Sequence, residues 1–300
     1  MSEPRITVVT TVYNRLPGLK LHLASLVLQK DAPDFHVVVA DDGSEADLTA
    51  YVLQVAKVLP VTYLRVPHGD PLLGVRTRNM GCAVVPRETT HIWLTDADIV
   101  FNPNAVFGAY KHLREEPNVV IAGRYDWMPN MAVTPEDLAE RFEDFVNCRL
   151  PRLPMKPESQ GGAEELPSGA RADPRTRFGV WGDCVTTFDC KGATLGSNLI
   201  VPIEAWKQTG GYDENMPPAC NAGDAEFGFA LEKCGWRNIH CDHIAGYHLY
   251  HERNILGLTL GVRKGIAYIC QKYGVPFNPK NLPELPEGVT DEWSEAQCPN

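Results

Sequence analysis

A chain of 300 residues with a net charge of −10 is long enough to bury the core of one large α/β domain or two smaller ones. Its acidity argues against a protein built mainly to hold nucleic acid, although the acid gathers in residues 282–297 and residues 149–177 are mildly basic. No apolar run approaches the ~18 residues of a membrane span, and the first residues lack the basic and apolar regions of a signal peptide, so a cytoplasmic protein is expected.

The first strand is expected in "RITVVTTVYN", a β-branched run that ends in polar residues. "LPGLKLHLASLVLQ" follows, with Leu19, Leu23, Leu26 and Val27 at helical spacing. "FHVVVADDGS" is a second buried strand, "EADLTAYVLQVAKVL" a helix, "VTYLRV" a third strand and "GVRTRNMGCAVV" a short helix. "HIWLT" is the fourth strand. "NPNAVFGAYKHLREEP" is a helix with Pro103 at its first position, and "NVVIAGRY" is a fifth strand. "TPEDLAERFEDFVNCRL" reads as one amphipathic helix capped by Thr134. Residues 151–177 are rich in Pro, Gly and charge and read as a long loop, a possible lid. Regular structure resumes with the strand "ATLGSNLIVP" and a short helix, "IEAWKQTGGYDE". The helix "DAEFGFALEKCGW" follows, with Phe227, Ala230, Leu231 and Cys234 on its core face. "RNIHCDHIAGYHLYHE" is a strand running into a histidine cluster, and "LGLTLGVRKGIAYICQKYG" is the last helix, before a Pro-rich acidic tail.

Strand and helix alternate through the first 125 residues. That predicts an α/β fold with a mostly parallel sheet covered on both faces. Ligands of such sheets bind beyond the carboxyl ends of the strands. Three polar clusters fall at those ends: Tyr13-Asn14-Arg15, Asp41-Asp42 and Asp96-Asp98. The nine scattered cysteines read as free thiols. Cys220, Cys234, Cys241 and His243 lack any C-x-x-C pair, so buried structural cysteines are expected before a zinc site.

"TDADIV" places two carboxylates one residue apart at the end of a core strand. Taken alone, Asp-x-Asp reads as a solvated turn, because Asp is common after strands. Its position beside other polar strand ends favours a hard divalent cation bound through oxygen, as in sites where magnesium or manganese bridges phosphates.

These residues resemble those of the GT-A glycosyltransferases, especially the large family 2-like group that includes bacterial polysaccharide synthases. The matching stretches are "VVTTVYNR", "VVADDGS", "GVRTRNMG", "LTDADIV", "GSNLIVPIEAWKQTGGYDE" and "GDAEFGFALEKCG", in the family's order over about residues 6–251. The resemblance implies a Rossmann-like GT-A sheet with a small acceptor-side region. Residues 1–125 would form the nucleotide-sugar-binding half, 126–186 a helix and loop insertion, 187–275 the catalytic half and 276–300 a tail. It also implies transfer of a sugar from a nucleotide-diphosphate donor, a UDP-sugar, to an acceptor hydroxyl. The acceptor is left open among a glycan, a small molecule, a protein and a modified nucleic acid.

By that resemblance Thr11, Tyr13 and Asn14 contact nucleobase and ribose, and Asp41 or Asp42 accepts a uracil N–H. The alternative for "DDGS" is a turn with a helix cap. Arg76 and Arg78, with Arg78 favoured, would clamp the diphosphate, since guanidinium pairs with phosphate in fork geometry. Asn79 would orient the donor. Asp98 is the first-choice ligand for Mn2+ or Mg2+, and Asp96 lies nearer the ribose. The C-terminal part is similar to polypeptide N-acetylgalactosaminyltransferases, which implies a histidine ligand at His251 or His248; imidazole beside carboxylate suits manganese. Asp224 is expected to be the general base of an inverting reaction, although Gly223 stands where that family has a further acid. Asn198 is expected to line the sugar pocket, and Trp181 is a candidate for stacking on a sugar or base, with core packing as the alternative. Two rival readings remain: a nucleotidyltransferase, whose Gly-rich first loop is not seen here, and a non-catalytic nucleotide-sugar-binding protein.

Overall fold

The computed structural model describes residues 3–68, 74–155 and 196–274, the short stretches 164–165, 171–172 and 185–188, and Leu285. Trp181, most of the Pro-rich loop and nearly all of the acidic tail lie outside the described residues. The first half runs β1 (Ile6–Val12), α1 (Leu16–Val27), β2 (His36–Asp41), α2 (Thr49–Val55), β3 (Val61–Arg65), α3 (Val75–Ala83), β4 (His91–Asp96), β5 (Ile99–Phe101), α4 (Ala105–Glu115) and β6 (Val120–Trp127). Next come α5 (Pro135–Glu140), α6 (Phe142–Val146) and the short strands β7 (Glu164–Glu165), β8 (Arg171–Ala172) and β9 (Val185–Phe188). The rest is β10 (Asn198–Pro202), α7 (Ile203–Thr209), α8 (Gly223–Lys233), β11 (Asn238–His248) and α9 (Ile255–Tyr273).

The main sheet has the order β3-β2-β1-β4-β10-β6-β11-β5. Its β3, β2, β1 and β4 are mutually parallel, as the alternating sequence predicts, and so are β6 and β11. The departure is β10, which runs antiparallel between β4 and β6 and separates two strands that are successive in the alternating pattern. Val8, Val9, Val37, Val38, Val39, Trp93 and Leu94 are fully buried, because helices cover both faces of the parallel part.

Three smaller expectations change. The helix after the fourth strand begins at Ala105 with Asn104 at its N-cap, so Pro103 stands upstream of it and its carbonyl accepts the Lys30 N–H. The single helix expected after Thr134 is broken at Arg141 into α5 and α6, and α6 sets Phe145 against Tyr247. Thr134 does cap α5, in a reciprocal box with Asp137. On α8, Phe227 and Leu231 are buried but Cys234 is exposed; buried Glu226 is held there by Lys272 and Tyr273 of α9.

Asn198 needs a full correction. It is wholly buried, accepts from Trp93 Nε1 at 2.9 Å and donates to the carbonyls of Arg124 at 2.8 Å and Ile244 at 2.9 Å. Its amide therefore ties three strands together instead of lining a sugar pocket. A Cβ at Gly123 would lie 2.2 Å from its Nδ2, so the glycine makes room for this amide. No described helix is long and apolar enough to cross a membrane. The Asn198→Ala variant is expected to lose about 2–4 kcal/mol of unfolding free energy, because it strands one buried N–H and two carbonyls. Denaturant unfolding measures this, and an unchanged midpoint would contradict the assignment.

Candidate active site

Sheet register assembles the site. β1 and β4 pair Thr11 with Asp96, and the Thr11 hydroxyl donates to Asp96 Oδ1 at 3.2 Å. β10 begins at Asn198 opposite Thr95, so Ser197 just before it donates to Asp96 Oδ2 at 2.6 Å. After the turn at Ala97-Asp98 the chain becomes β5, which pairs antiparallel with the end of β11 and sets His248 opposite Ile99. The Leu249 N–H closes the arrangement on the Asp98 carbonyl at 2.8 Å.

Asp98, His248 and His251 are therefore neighbours, although some 150 residues separate the aspartate from the histidines. His251 Nε2 is 3.2 Å from Asp98 Oδ2, and His248 Nε2 is 3.7 Å from Asp98 Oδ1. One ligand atom from each of the three can be chosen so that all lie within 4.8 Å of one another, and no other described group of His, Cys, Asp and Glu does this. Asp98 Oδ1 and His248 Nδ1 are buried without a hydrogen-bond partner. Burial alone would raise the Asp98 carboxyl, but His248, His251 and Arg15 outweigh it and hold Asp98 well below the usual carboxylate range. Burial pushes His248 down to about 3, against the pull of Asp98. A charged carboxylate with an unmet oxygen beside two imidazoles is a donor set that suits a divalent cation.

A cleft of about 790 Å³ opens beside this cluster, and its wall includes Asp96, Ser197, Asp224 and Arg253. Asp224 lies in the first turn of α8. Its Oδ1 accepts from the Tyr212 hydroxyl at 3.1 Å and lies 3.5 Å from Arg78 Nη1. Burial and Asp224 raise the Tyr212 phenol well above its ordinary value, so it stays protonated and donates. Arg78 Nη2 pairs with Asp96 Oδ1 at 2.6 Å, and the guanidinium lies 5.2 Å from the centre of the Tyr212 ring. Two glycines permit this closeness. A Cβ at Gly81 would come within 2.9 Å of Val9, so α3 rests directly on the sheet. A Cβ at Gly196 would lie 2.2 Å from Asp224 Oδ1 and 2.7 Å from Arg78 Nη1.

A second cavity, of about 330 Å³, lies on the other side of Asp96 and is lined by Thr11, Tyr13, Asp42 and His68 among others. Tyr13 stacks on His68 with ring centres 4.0 Å apart. Asp42 accepts from the Thr77 hydroxyl at 2.9 Å and from His68 Nδ1 at 3.0 Å. Arg15 lines both cavities.

The geometry separates the predicted residues. Thr11, Tyr13, Asp42, Asp96, Asp98, His248, His251 and Asp224 converge on the two cavities. Asp41 does not: it is wholly buried, accepts from the Ser44 N–H and the Tyr63 hydroxyl, and so holds the turn. Asn14 uses its side-chain oxygen to accept the Glu45 N–H, which pins the same turn from the other side. Arg76 is exposed and lines neither cavity. Arg78 is largely buried between two carboxylates, a bridge inside the protein rather than a diphosphate clamp. Asn79 grips the backbone of Tyr212 and the Glu214 side chain. Sequence reasoning missed His68 and Arg253, and it gave Arg15, Ser197 and Tyr212 no role of their own within the stretches it had already placed at the site. Each stands in or next to a recognised motif, but nothing in its spacing marks it.

Residues 7–160 match the model of the family described as glycosyl transferase family 2. The chain belongs to glycosyl transferase family 2. It is 25% identical over 245 residues to the hyaluronan synthase of Pasteurella multocida, covering 81% of this chain and 24% of that one. It is 30% identical over 250 residues to the chondroitin synthase of Escherichia coli, covering 82% and 34%. The chain thus spans about a quarter to a third of the length of these relatives. Among solved structures it is similar to residues 1–349 of S. aureus TarS in complex with UDP-GlcNAc, with a TM-score of 0.60, 14% identity and coverage of 98% and 70%. It is also similar to the mannosyltransferase PcManGT of Pyrobaculum calidifontis in complex with GDP-Man and Mn2+, with a TM-score of 0.56, 18% identity and coverage of 94% and 67%. These likenesses show the GT-A fold, and the family match supports sugar transfer over the nucleotidyltransferase and passive-binding readings. Gly196→Ala is expected to displace Asp224 and Arg78 and to lower sugar-transfer turnover by roughly tenfold to a hundredfold. Initial rates of sugar transfer measure this, and undiminished turnover would show that the packing beneath Asp224 is slack.

Proposed function

We propose that this glycosyltransferase moves a sugar from a UDP-sugar to an acceptor hydroxyl, with inversion, using Asp224 as the general base. The observation that carries the reading is the placement of Asp224 across one cleft from Asp96 and Asp98, with a second cavity holding Tyr13 and Asp42 behind them. The uracil lies in that second cavity against the Tyr13 ring, and Asp42 accepts its imide N–H in place of the His68 N–H. Thr11 and Asp96 face the ribose.

Asp98, His251 and His248 would hold Mn2+ or Mg2+. A cation bound there would supply electrostatic stabilisation to the diphosphate as negative charge grows on its leaving oxygen. Asp224 takes the proton of the acceptor hydroxyl as that oxygen attacks the anomeric carbon. Among the described residues its contacts fall on Oδ1, so Oδ2 is the oxygen left to receive the proton. Tyr212 and Arg78 keep the carboxylate oriented. A glycan end is the acceptor best supported, because the relatives carry the names of hyaluronan and chondroitin synthases.

A screen of UDP-sugars with Mn2+, followed by mass spectrometry and anomeric NMR of the product, tests the reading. A retained anomeric configuration would remove the need for a base. Asp224→Asn is expected to lower kcat by about 10²–10⁴-fold with little change in donor binding, and normal transfer by this variant would refute the assignment. Asp98→Ala is expected to abolish Mn2+ binding in calorimetry while leaving a folded protein; binding that persists unchanged would move the metal elsewhere.

A further inference from the structure

α1 lies along the stretch of chain that carries Asp98, and its face there is polar. A Cβ at Gly18 would lie 3.1 Å from the Ala97 carbonyl oxygen and 3.3 Å from Asp98 Cβ. One turn on, His22 Nδ1 donates to the Ile99 carbonyl at 2.6 Å. Ser25 Oγ accepts the Phe101 N–H at 3.0 Å. Gln29, just past the helix, donates from Nε2 to the Asn102 carbonyl at 2.8 Å. Residues 18, 22, 25 and 29 recur at helical spacing and follow residues 97–102 in order.

The free edge of β5 accounts for this pattern. Among the described residues β5 is the last strand of the sheet and pairs with β11 alone. The Asp98 carbonyl and the Asn102 N–H face β11, where they bond Leu249 and Ala245. The Ile99 carbonyl and the Phe101 N–H face the other way, toward α1. Ile99 and Phe101 are wholly buried, so these backbone groups need partners inside the protein. Side chains of α1 supply them where a neighbouring strand otherwise would.

His22 spans the greatest distance of the three. It is wholly buried. A carbonyl only accepts, so Nδ1 carries the ring proton and Nε2 accepts the Thr10 hydroxyl at 2.8 Å. Both contacts are met by one neutral ring, and burial pushes His22 down to about 4, which keeps it neutral. Thr10 lies on β1 beside Thr11, the residue paired with Asp96. The ring therefore ties the chain at Asp98 to the same strand that sets Asp96.

We propose that His22 is a positioning residue for Asp98, holding it through the Ile99 carbonyl at the distance from His248 and His251 that a divalent cation needs. This rests on the metal reading given above.

Two variants of similar shape separate this role from plain stability. An asparagine N–H can stand where Nδ1 does, and a glutamine carbonyl oxygen where Nε2 does. His22→Asn therefore keeps the Ile99 bond and loses the Thr10 bond, and His22→Gln does the reverse. Thr10→Val loses the Thr10 bond alone. All three are expected to unfold at lower denaturant. His22→Gln alone is expected to weaken Mn2+ about tenfold in calorimetry. It is also expected to speed exchange of the Leu249 amide about tenfold in metal-free protein, because that N–H rests on the Asp98 carbonyl. His22→Asn and Thr10→Val stay within about twofold of wild type in both measurements. Should His22→Gln not fold, Ser25→Ala, which frees the Phe101 N–H, is expected to speed Leu249 exchange about threefold.

Equal changes in all three variants, tracking their loss of stability, overturn the positioning role. Unchanged Leu249 exchange in His22→Gln, or in Ser25→Ala where that variant replaces it, overturns it as well. Wild type that binds no Mn2+ overturns the metal reading, and Leu249 exchange, taken without metal, then supports or overturns the hold on Asp98 by itself.

Discussion

The Arg78 guanidinium is the interaction on which the site depends. It reaches from α3 to Asp96 at the end of β4 and to Asp224 at the start of α8. One cation therefore ties the first half of the chain to the second at the point where chemistry is expected. The cost of burying it is offset only because two carboxylates and the Tyr212 ring surround it. The close approach in turn requires that residues 81 and 196 carry no side chain. Asp224 thus has a fixed distance from the aspartate pair without any direct contact between the two.

The second constraint is the pairing of β5 with β11. A three-residue strand is a weak element by itself. Here it is anchored by Ile99, Val100 and Phe101, all fully buried. Its register against β11 seats His248 opposite Ile99 and so next to Asp98. His248 is further wedged against Trp127, with ring centres 4.2 Å apart, and against Tyr125. A histidine pressed between aromatic rings stays neutral and stays in place. Both properties suit a metal ligand and neither is visible in the motif "GYHLYHE".

Family membership and physical reading meet at the strand ends. The relatives named as hyaluronan and chondroitin synthases are three to four times longer than the region they share with this chain. What is shared is one unit of about 245 to 250 residues. Within that unit the polar groups divide into two kinds. Asp41, Asn14, Asn79 and Asn198 hold backbone in place. Asp42, Asp96, Asp98 and Asp224 face cavities.

Much of the first half was legible from sequence, because buried parallel strands and their covering helices leave strong hydrophobic periods. The edge on which Asp42, Asp96 and Asp98 lie followed from strand alternation alone. The division of "DDGS" into a structural Asp41 and a pocket-facing Asp42 did not, since both residues have the same chemistry and only backbone direction separates them. Asn198 misled for a related reason: an amide in a strand reads the same whether it meets a sugar or three neighbouring strands. By itself, then, the sequence determined the fold class, the strand-end edge and the acids placed there. Tertiary structure decided the partners: Arg78 with Asp96 and Asp224, Arg15 with His251, and His248 with Asp98. The physical reason is that charge pairing across the sheet is set by inter-strand register and close packing, which leave no period in the chain.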